Sequence, residues 1–225
     1  MSNSILYEEL SPFELRQIIN KTGIIYFPLG TLEWHSKHLP FGLDGAVSYE
    51  LCKKACGKTG GCVIPPLYFG TDREHNVNGK IFHGMDSKAG ELLPGSLYFL
   101  KQDLFFNLLK SVVSNVQEQG FKKFVIVSAH SGTAQQQALE TLTKEKFGNL
   151  KLLIFPGKLF VGGIDHAGPI ETSMMLAINK TLVHLERITQ PMGPIIGENI
   201  ISASEKEGLE RIDKIVNQIV GVVLG

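Results

Sequence analysis

Histidine and carboxylate side chains gather in three short segments of this 225-residue sequence. In the first segment, Glu33 and His35 are one residue apart, so in an extended chain both side chains point to the same side. They follow the apolar run 22–30, which predicts a buried strand, and Asp44 lies where the next helix is predicted to start. Carboxylates and imidazoles are suitable ligands for Zn²⁺, Mn²⁺ or Fe²⁺. This segment alone is compatible with either a metal site or an ordinary polar loop.

The second segment places His130 directly after the clearest predicted strand, 124–129. A histidine at a strand end is commonly a structural residue. Open α/β sheets, however, bind their ligands beyond the carboxyl ends of the strands. If the two strands are parallel neighbours, His130 faces the same crevice as Glu33 and His35. This shared location favours a role for His130 in the site.

The third segment contains His166 and Glu171. Gly168 and Pro169 predict a turn and the first position of a helix, which puts Glu171 in the first helical turn. A carboxylate there also complements the helix dipole, so a purely structural role stays open. His166 lies in a glycine-rich loop, and its ordinary pKa near neutrality makes it a candidate proton carrier.

The intervening sequence predicts the elements that must position these side chains. Buried apolar runs alternate with amphipathic stretches, which predicts a single-domain, three-layer α/β/α fold over residues 1–225 with a mainly parallel sheet. The stretch 70–95 has no strong periodicity and is predicted to be a long loop that covers the pocket. The predicted strands are 22–30, 62–68, 124–129 and 151–156, and the predicted helices are 11–20, 44–54, 96–119, 133–146, 169–179 and 204–219.

Composition excludes several function classes. Lys and Arg number 22, and Asp and Glu also number 22, so no basic surface for nucleic acid or acidic membranes is expected. Three cysteines give no even disulfide framework, and Cys52 and Cys56 are expected to pack as apolar groups on one helix face. No signal peptide or apolar run of ~20 residues is apparent, so a soluble, cytoplasmic protein is predicted.

The ordered motifs resemble the signature blocks of the creatininase family, which contains creatinine amidohydrolases and related metal-dependent amidases and deformylases. The resemblance runs in the correct order from about Tyr26 to Leu176. The three main blocks are Glu33-x-His35-x-x-His38-Leu-Pro-(x)₃-Asp44, Ser-Ala-His130, and Asp165-His166-Ala-Gly-x-x-Glu171-Thr-Ser. Weaker matches are Phe69-Gly70-x-x-x-Glu74-His75 and Pro94-Gly95-Ser96.

The resemblance implies a centre with two divalent metal ions, Zn, Mn or Fe. Glu33, Asp44 and His130 would bind the first ion, while His35 and a bridging Asp44 would bind the second. A metal-bridging hydroxide would attack a small-molecule amide, either a cyclic amide or a formamide, and His166 would relay a proton to the departing nitrogen. The resemblance also implies a homo-oligomer, with a hexamer as the suggested form, and the apolar C-terminal residues could contribute an interface.

One departure from the family leaves the ligand set incomplete. Creatininase itself has a glutamate ligand two residues after the strand-end histidine, and this chain has Gly132. Glu171 is predicted to take that ligand position, with a catalytic or capping role as the alternative. Gly132 also supports a second hypothesis, a non-catalytic binding protein that kept the fold. His38 is expected to support the site without binding metal, His75 could line the pocket, and His184 is expected to be incidental.

Overall fold

A parallel sheet of four strands forms the centre of the protein. In the computed structural model, residues 4–97, 99–157, 165–188, 193–195, 197 and 199–225 are described. The strands are β1 (Ile24–Leu29), β2 (Cys62–Val63), β3 (Glu74–Val77), β4 (Lys80–His83), β5 (Lys123–Ser128) and β6 (Lys151–Pro156). The central sheet has the order β2-β1-β5-β6, and β3 and β4 form a separate antiparallel hairpin.

Helices flank this sheet on both faces. The α-helices are α1 (Pro12–Lys21), α2 (Leu43–Thr59), α3 (Gly84–Ala89), α4 (Gln102–Glu118), α5 (Thr133–Leu142), α6 (Pro169–Asn179) and α7 (Glu205–Leu224). Short 3₁₀ helices cover Tyr7–Glu9, Lys180–Leu182, Leu185–Arg187 and Ile200–Ser202. No described helix is long and apolar enough to cross a membrane.

Strand β1 contributes to two separate cores because its side chains alternate between the faces of the sheet. Ile24 and Tyr26 pack into the core formed with α2, α6 and α7. Ile25, Phe27 and Leu29 pack into the core formed with α1, α4 and α5. Every residue of β1 is buried, as expected for a parallel strand covered on both sides. The predicted fold class, a three-layer α/β/α arrangement around a mainly parallel sheet, is confirmed.

The register of the sheet places the candidate site residues at one edge. Strand β1 pairs with β5 along its whole length, and Leu29 at the end of β1 is the partner of Ser128 at the end of β5. The loop that carries Glu33 and the loop that carries His130 therefore leave the sheet side by side.

Helix α2 is held against these two strand ends by a serine. The Ser48 hydroxyl donates a hydrogen bond to the Leu29 carbonyl at 2.6 Å, and it accepts one from the Ala129 N–H at 2.8 Å. Close backbone contact adds to this, because a Cβ at Gly30 would lie 2.1 Å from the Gly45 nitrogen. Two glycines thus allow the start of α2, including Asp44, to pack directly on the end of β1.

Several predicted boundaries are wrong for identifiable reasons. The helix predicted over 96–119 begins only at Gln102, because the preceding chain is extended and the Leu100 N–H donates to the Gly70 carbonyl. The strand predicted over 62–68 is limited to Cys62–Val63, since the two prolines that follow cannot donate ladder hydrogen bonds. Helix α5 ends at Leu142 instead of Lys146, and α7 continues past Ile219.

The segment 70–95 is not the structureless loop that was predicted. It contains the β3–β4 hairpin and the short helix α3. Asn78 and Gly79 form the hairpin turn with φ values of +52° and +82°. An Asn-Gly pair is a strong hairpin signal, but the surrounding residues are too polar to show a strand pattern.

We predict that Gly30→Ala destabilises the protein by about 1–3 kcal/mol, because the added methyl group would collide with the backbone of α2. Gly221→Ala is the matched control, since a Cβ there has no neighbour within 4 Å and the residue lies in helix α7. The free energy of unfolding of that control should rise by about 0.5–1 kcal/mol. Urea unfolding measures both changes, and equal effects of the two substitutions would contradict the packing described.

Candidate metal centre

The structure brings all six predicted site residues into one buried cluster. Glu33 and His35 lie on the loop after β1, and Asp44 is the second residue of α2. His130 lies two residues beyond the end of β5. His166 and Glu171 come from the loop before α6 and from its first turn. These six side chains are buried, which is unusual for so many titratable groups.

The first group of potential ligands consists of Glu33, Asp44 and His130. Nδ1 of His130 lies 3.0 Å from Glu33 Oε1 and 3.2 Å from Asp44 Oδ2. The three ligand atoms lie within 4.8 Å of one another, so this group could hold a metal ion. The Thr31 hydroxyl donates to Asp44 Oδ2 at 2.6 Å and thereby fixes the orientation of that carboxylate.

The second group consists of His35, Asp44 and Glu171. Nε2 of His35 lies 3.5 Å from Asp44 Oδ1 and 3.9 Å from Glu171 Oε2. Nδ1 of His35 is 3.1 Å from the Glu33 carbonyl oxygen and donates to it, which leaves Nε2 as the ring nitrogen directed into the group. Nε2 has no hydrogen-bond partner in the described part of the chain. Asp44 belongs to both groups and presents a different oxygen to each.

A reciprocal clamp holds Glu171 in this position. Asp165 Oδ2 accepts a hydrogen bond from the Glu171 N–H at 3.0 Å, and Glu171 Oε2 accepts one from the Ala167 N–H at 2.6 Å. Ala167 has a φ of +52°, in the left-handed region that non-glycine residues rarely adopt. The loop is thus folded back so that the glutamate in the first turn of α6 reaches the centre.

The His166 side chain lies against the second group, but its Nε2 atom does not face that group. Nε2 donates to the Trp34 carbonyl at 2.7 Å, so Nδ1 is the free nitrogen, and it lies 3.8 Å from Glu33 Oε1. The imidazole ring stacks on that of His35, with centroids 4.6 Å apart. Glu33, His35 and His166 form a third group that could hold an ion, so His166 has the geometry of either a proton carrier or a ligand.

Burial and neighbouring charges shift the pKa values of the cluster in opposite directions. Burial disfavours the charged form of His35, but the nearby Asp44, Glu171 and Glu33 outweigh it and raise its pKa to about 10. The pKa of His130 is raised well above its usual value, because Glu33 and Asp44 overcome burial in the same way. Burial raises the pKa of Glu171 to about 8. Protons on the histidines thus balance the carboxylates, and a divalent cation could replace those protons.

For His166, the neighbouring charges do not outweigh the effect of burial on the pKa. Burial lowers the pKa of His166 to about 4, and the nearby Glu33 only partly opposes it. The imidazole is therefore neutral near pH 7, with its proton on Nε2. A neutral imidazole with a free Nδ1 can accept a proton from a reacting group.

A sequence model of the creatininase family, described as creatinine amidohydrolase, matches residues 8–214. The chain belongs to the creatininase family. A curated relative, the creatinine amidohydrolase of Pseudomonas putida, is 23% identical over 213 residues, which cover 84% of this chain and 77% of the relative. The 3-dehydro-scyllo-inosose hydrolase of Thermotoga maritima is 22% identical over 210 residues, covering 84% of this chain and 61% of that protein.

Solved structures of creatininases share the fold at low sequence identity. A crystal structure of creatinine amidohydrolase superposes with a TM-score of 0.78 and 20% identity, covering 99% of this chain and 97% of the other. A mutant creatininase of Zn-Zn type has a TM-score of 0.76, with coverage of 99% and 98%. A Mn creatininase has a TM-score of 0.72, with coverage of 98% and 97%. Both of these also have 20% identity to this chain.

The other histidines lie outside the ligand groups. His38 is buried, and its Nε2 lies 3.0 Å from the Thr172 hydroxyl, which itself donates to the Gly168 carbonyl. His38 therefore links the first loop to helix α6 without entering a ligand group, as expected. His184 lies on the surface beside Glu186.

A cavity of about 420 Å³ opens onto the centre. Glu33, His130 and His166 line it. The segment 70–95 also lines it, so this segment borders the centre as the sequence suggested. From that segment come Asp72, Arg73, His75, Gly84, Met85, Ser87 and Lys88. A neighbouring cavity of about 790 Å³ is larger, but none of the six clustered residues lines it.

Sequence reasoning missed several residues that shape the site. Thr31 and the Trp34 carbonyl orient Asp44 and His166, and Asp165 fixes Glu171. Arg73 and Lys88 line the cavity. Asp165 belongs to the third motif, but it lies three residues before the N-cap Gly168, so the N-cap pattern does not identify its hydrogen bond with the Glu171 N–H. The other four have no local signal, because their roles depend on contacts with distant residues.

We predict that the stability of the metal-free protein falls between about pH 6 and 9, more steeply than that of the metal-loaded protein. The folded metal-free state holds extra protons, since the pKa values of His35 and Glu171 are raised to about 10 and about 8. Their contribution to stability is present at low pH and is lost as the pH rises through those values. Metal binding requires the deprotonated ligands, so metal strengthens the fold as the pH rises.

Thermal melts with EDTA and with saturating Mn²⁺ across this range measure the difference. The gap between the two melting temperatures should widen with pH. Parallel curves would show that metal and protons do not compete for these side chains.

Proposed function

We propose that this protein is a metal-dependent amidohydrolase that cleaves a non-peptide C–N bond of a small molecule. The observation that carries the proposal is the pair of ligand groups that share Asp44. Glu33, Asp44 and His130 would hold one divalent ion, and His35, Asp44 and Glu171 would hold the other. The two curated relatives, both named as hydrolases, support this class of activity, and the Zn and Mn creatininase structures support these metals.

The residues around the centre have separate tasks in this proposal. Two bound divalent ions would lower the pKa of water to near neutrality and polarise the amide carbonyl. Asp44 would help to hold both ions, because it belongs to both ligand groups. The Glu33 carbonyl and the Thr31 hydroxyl would keep His35 and Asp44 in the orientation that metal binding needs.

His166 is the proposed proton carrier. Its Nε2–H is fixed on the Trp34 carbonyl, so Nδ1 faces the centre as a neutral acceptor. Nδ1 would take a proton from the attacking water and pass it to the nitrogen that leaves. Burial keeps the ring neutral before the reaction, which is the protonation state that the first of these transfers requires.

Glycine at position 132 has no side chain that could bind a metal ion, and Glu171 is the proposed replacement ligand. A Cβ at Gly132 would lie 2.3 Å from His130 Nε2 and 2.9 Å from Asp72 Cγ, so this position has no space for a side chain. The Glu171 carboxylate comes from the first turn of helix α6, and its Oε2 lies 3.9 Å from His35 Nε2. The clamp with Asp165 and Ala167 supports a fixed ligand at this place.

The alternative is a non-catalytic binding protein with a degenerate metal site. Gly132 favours this alternative, as it removes a ligand found in creatininase itself. The convergence of His166 and Glu171 on the same buried cluster favours the enzyme. The proposed substrates are cyclic amides and formamides, and a panel of lactams, hydantoins, formamides and creatinine, each with Mn²⁺ or Zn²⁺, tests for turnover. No turnover of any member by the metal-loaded protein would favour the alternative.

A homo-oligomer, with a hexamer as the suggested form, also stays a proposal. The C-terminal apolar residues offer it limited support. Ile219 and Val223 are buried in the core formed with α2 and α6, so they are not free for an interface. Val222 and Leu224 are the exposed apolar residues at that end.

We predict that Asp44→Asn lowers the content of both metal ions, because this residue belongs to both groups. Glu171→Gln should lose mainly the second ion and keep the first. Asp213→Asn, an exposed carboxylate on α7, is the matched control and should keep both. Metal analysis of each purified variant after dialysis against a weak chelator gives the count. Loss of only one ion in Asp44→Asn would disprove the bridge, and full metal content in Glu171→Gln would reassign Glu171 to a catalytic or capping role.

We predict that His166→Gln reduces kcat by about 10²–10⁴-fold on the best substrate of the panel, with its metal content unchanged. The reason is that His166 moves a proton and does not complete either main ligand group. His184→Gln changes a half-buried histidine outside the ligand groups and serves as the control. Loss of one ion in His166→Gln would instead make His166 a ligand in the third group.

A further inference from the structure

Two cationic side chains line the cavity above the proposed metal centre. Arg73 lies just before strand β3, and Lys88 lies in the last turn of α3. Both line the cavity of about 420 Å³ that is also lined by Glu33, His130 and His166. The two cations come from separate elements of the segment 70–95, and Arg73 also lines the neighbouring cavity of about 790 Å³.

Neither cation has a carboxylate partner within 4.0 Å among the residues that the structure describes. Some other surface cations do have such partners, as Lys53 does with Glu50 and Lys110 with Glu145, whereas Lys80 and Lys144 have none among the described residues. Arg73 and Lys88 therefore keep their hydrogen-bond donors free for a ligand. The helix dipole favours a lysine near the C-terminal end of α3, which alone could account for Lys88. It does not explain why Arg73 lines the same cavity.

The acidic residues of the cavity are already engaged elsewhere. Asp165 accepts the Glu171 N–H, and Asp72 accepts the Arg73 backbone N–H at 2.7 Å. Glu33 contacts His130. Two divalent ions would more than offset the three carboxylates of the ligand groups, Glu33, Asp44 and Glu171. Asp72 and Asp165 also line the cavity, and Arg73 and Lys88 would oppose their charge.

We propose that Arg73 and Lys88 bind an anionic group, a carboxylate or a phosphate, on the substrate whose C–N bond is cleaved at the centre. This inference rests on the proposed function. Arginine forms paired hydrogen bonds with either anion, and lysine adds a point charge. A small neutral lactam would make no use of this pair. The segment that the sequence marked as unusual would thus determine which substrates enter the cavity.

Three hydroxamates of similar length test the proposal, because their common group binds divalent metals while the far end differs. Butyrohydroxamate ends in a methyl group, succinic monohydroxamate in a carboxylate, and 3-phosphonopropionohydroxamate in a phosphonate. Calorimetry of the Mn²⁺-loaded protein gives each Kd. At least one anionic compound should bind about tenfold or more tightly than butyrohydroxamate, and the stronger of the two indicates whether carboxylate or phosphate is preferred.

Substitutions of the two cations test whether they cause the preference for an anionic hydroxamate over butyrohydroxamate. Arg73→Gln and Lys88→Gln should each reduce it several-fold, and the double variant should abolish it without changing the affinity for butyrohydroxamate. Lys80→Gln, on the same hairpin but outside the cavity lining, should keep it. Equal affinities for the three hydroxamates, or a preference that survives the double variant, would overturn the anion site and leave the metal centre standing. Failure of all three to bind would contradict the metal centre and, with it, the anion site.

Discussion

The compensation of buried negative charge at Asp44 is the constraint on which the rest of the site depends. Asp44, Glu33 and Glu171 converge where almost no water reaches them, and unpaired carboxylates in such a place are very costly. Two histidines offset that charge in the metal-free structure, and divalent cations would do so more strongly. The fold supplies the convergence through the paired ends of β1 and β5 and through the glycine contact that brings α2 onto them.

Much of this convergence could be predicted from the sequence, because it follows from local patterns and one topological rule. Glu33 and His130 each follow a run of buried apolar residues, and parallel strands place their carboxyl ends at one edge. The position of Glu171 was harder to foresee, since it depends on the left-handed Ala167 and on a clamp with Asp165. The β3–β4 hairpin was missed because its strands are mostly exposed and polar, so they lack the alternation that marks a half-buried strand.

Position 132 and Glu171 together define the proposed ligand set. A Cβ at Gly132 would collide with His130 and Asp72, and α6 presents the Glu171 carboxylate to His35. In the same region, the segment 70–95 forms a hairpin and a helix that carry Arg73 and Lys88 to the cavity. Glu33, His130 and His166 belong to the ligand groups and also line the cavity, whereas Arg73 and Lys88 come from the segment 70–95 and belong to no ligand group.

We propose above all that Asp44 joins two metal ions. Anomalous diffraction from crystals of the Mn²⁺-loaded protein, recorded above and below the manganese absorption edge, tests this bridge most directly. We expect two peaks, one beside Glu33 and His130 and one beside His35 and Glu171, with Asp44 contacting both. A single peak, or two peaks of which only one contacts Asp44, would contradict it.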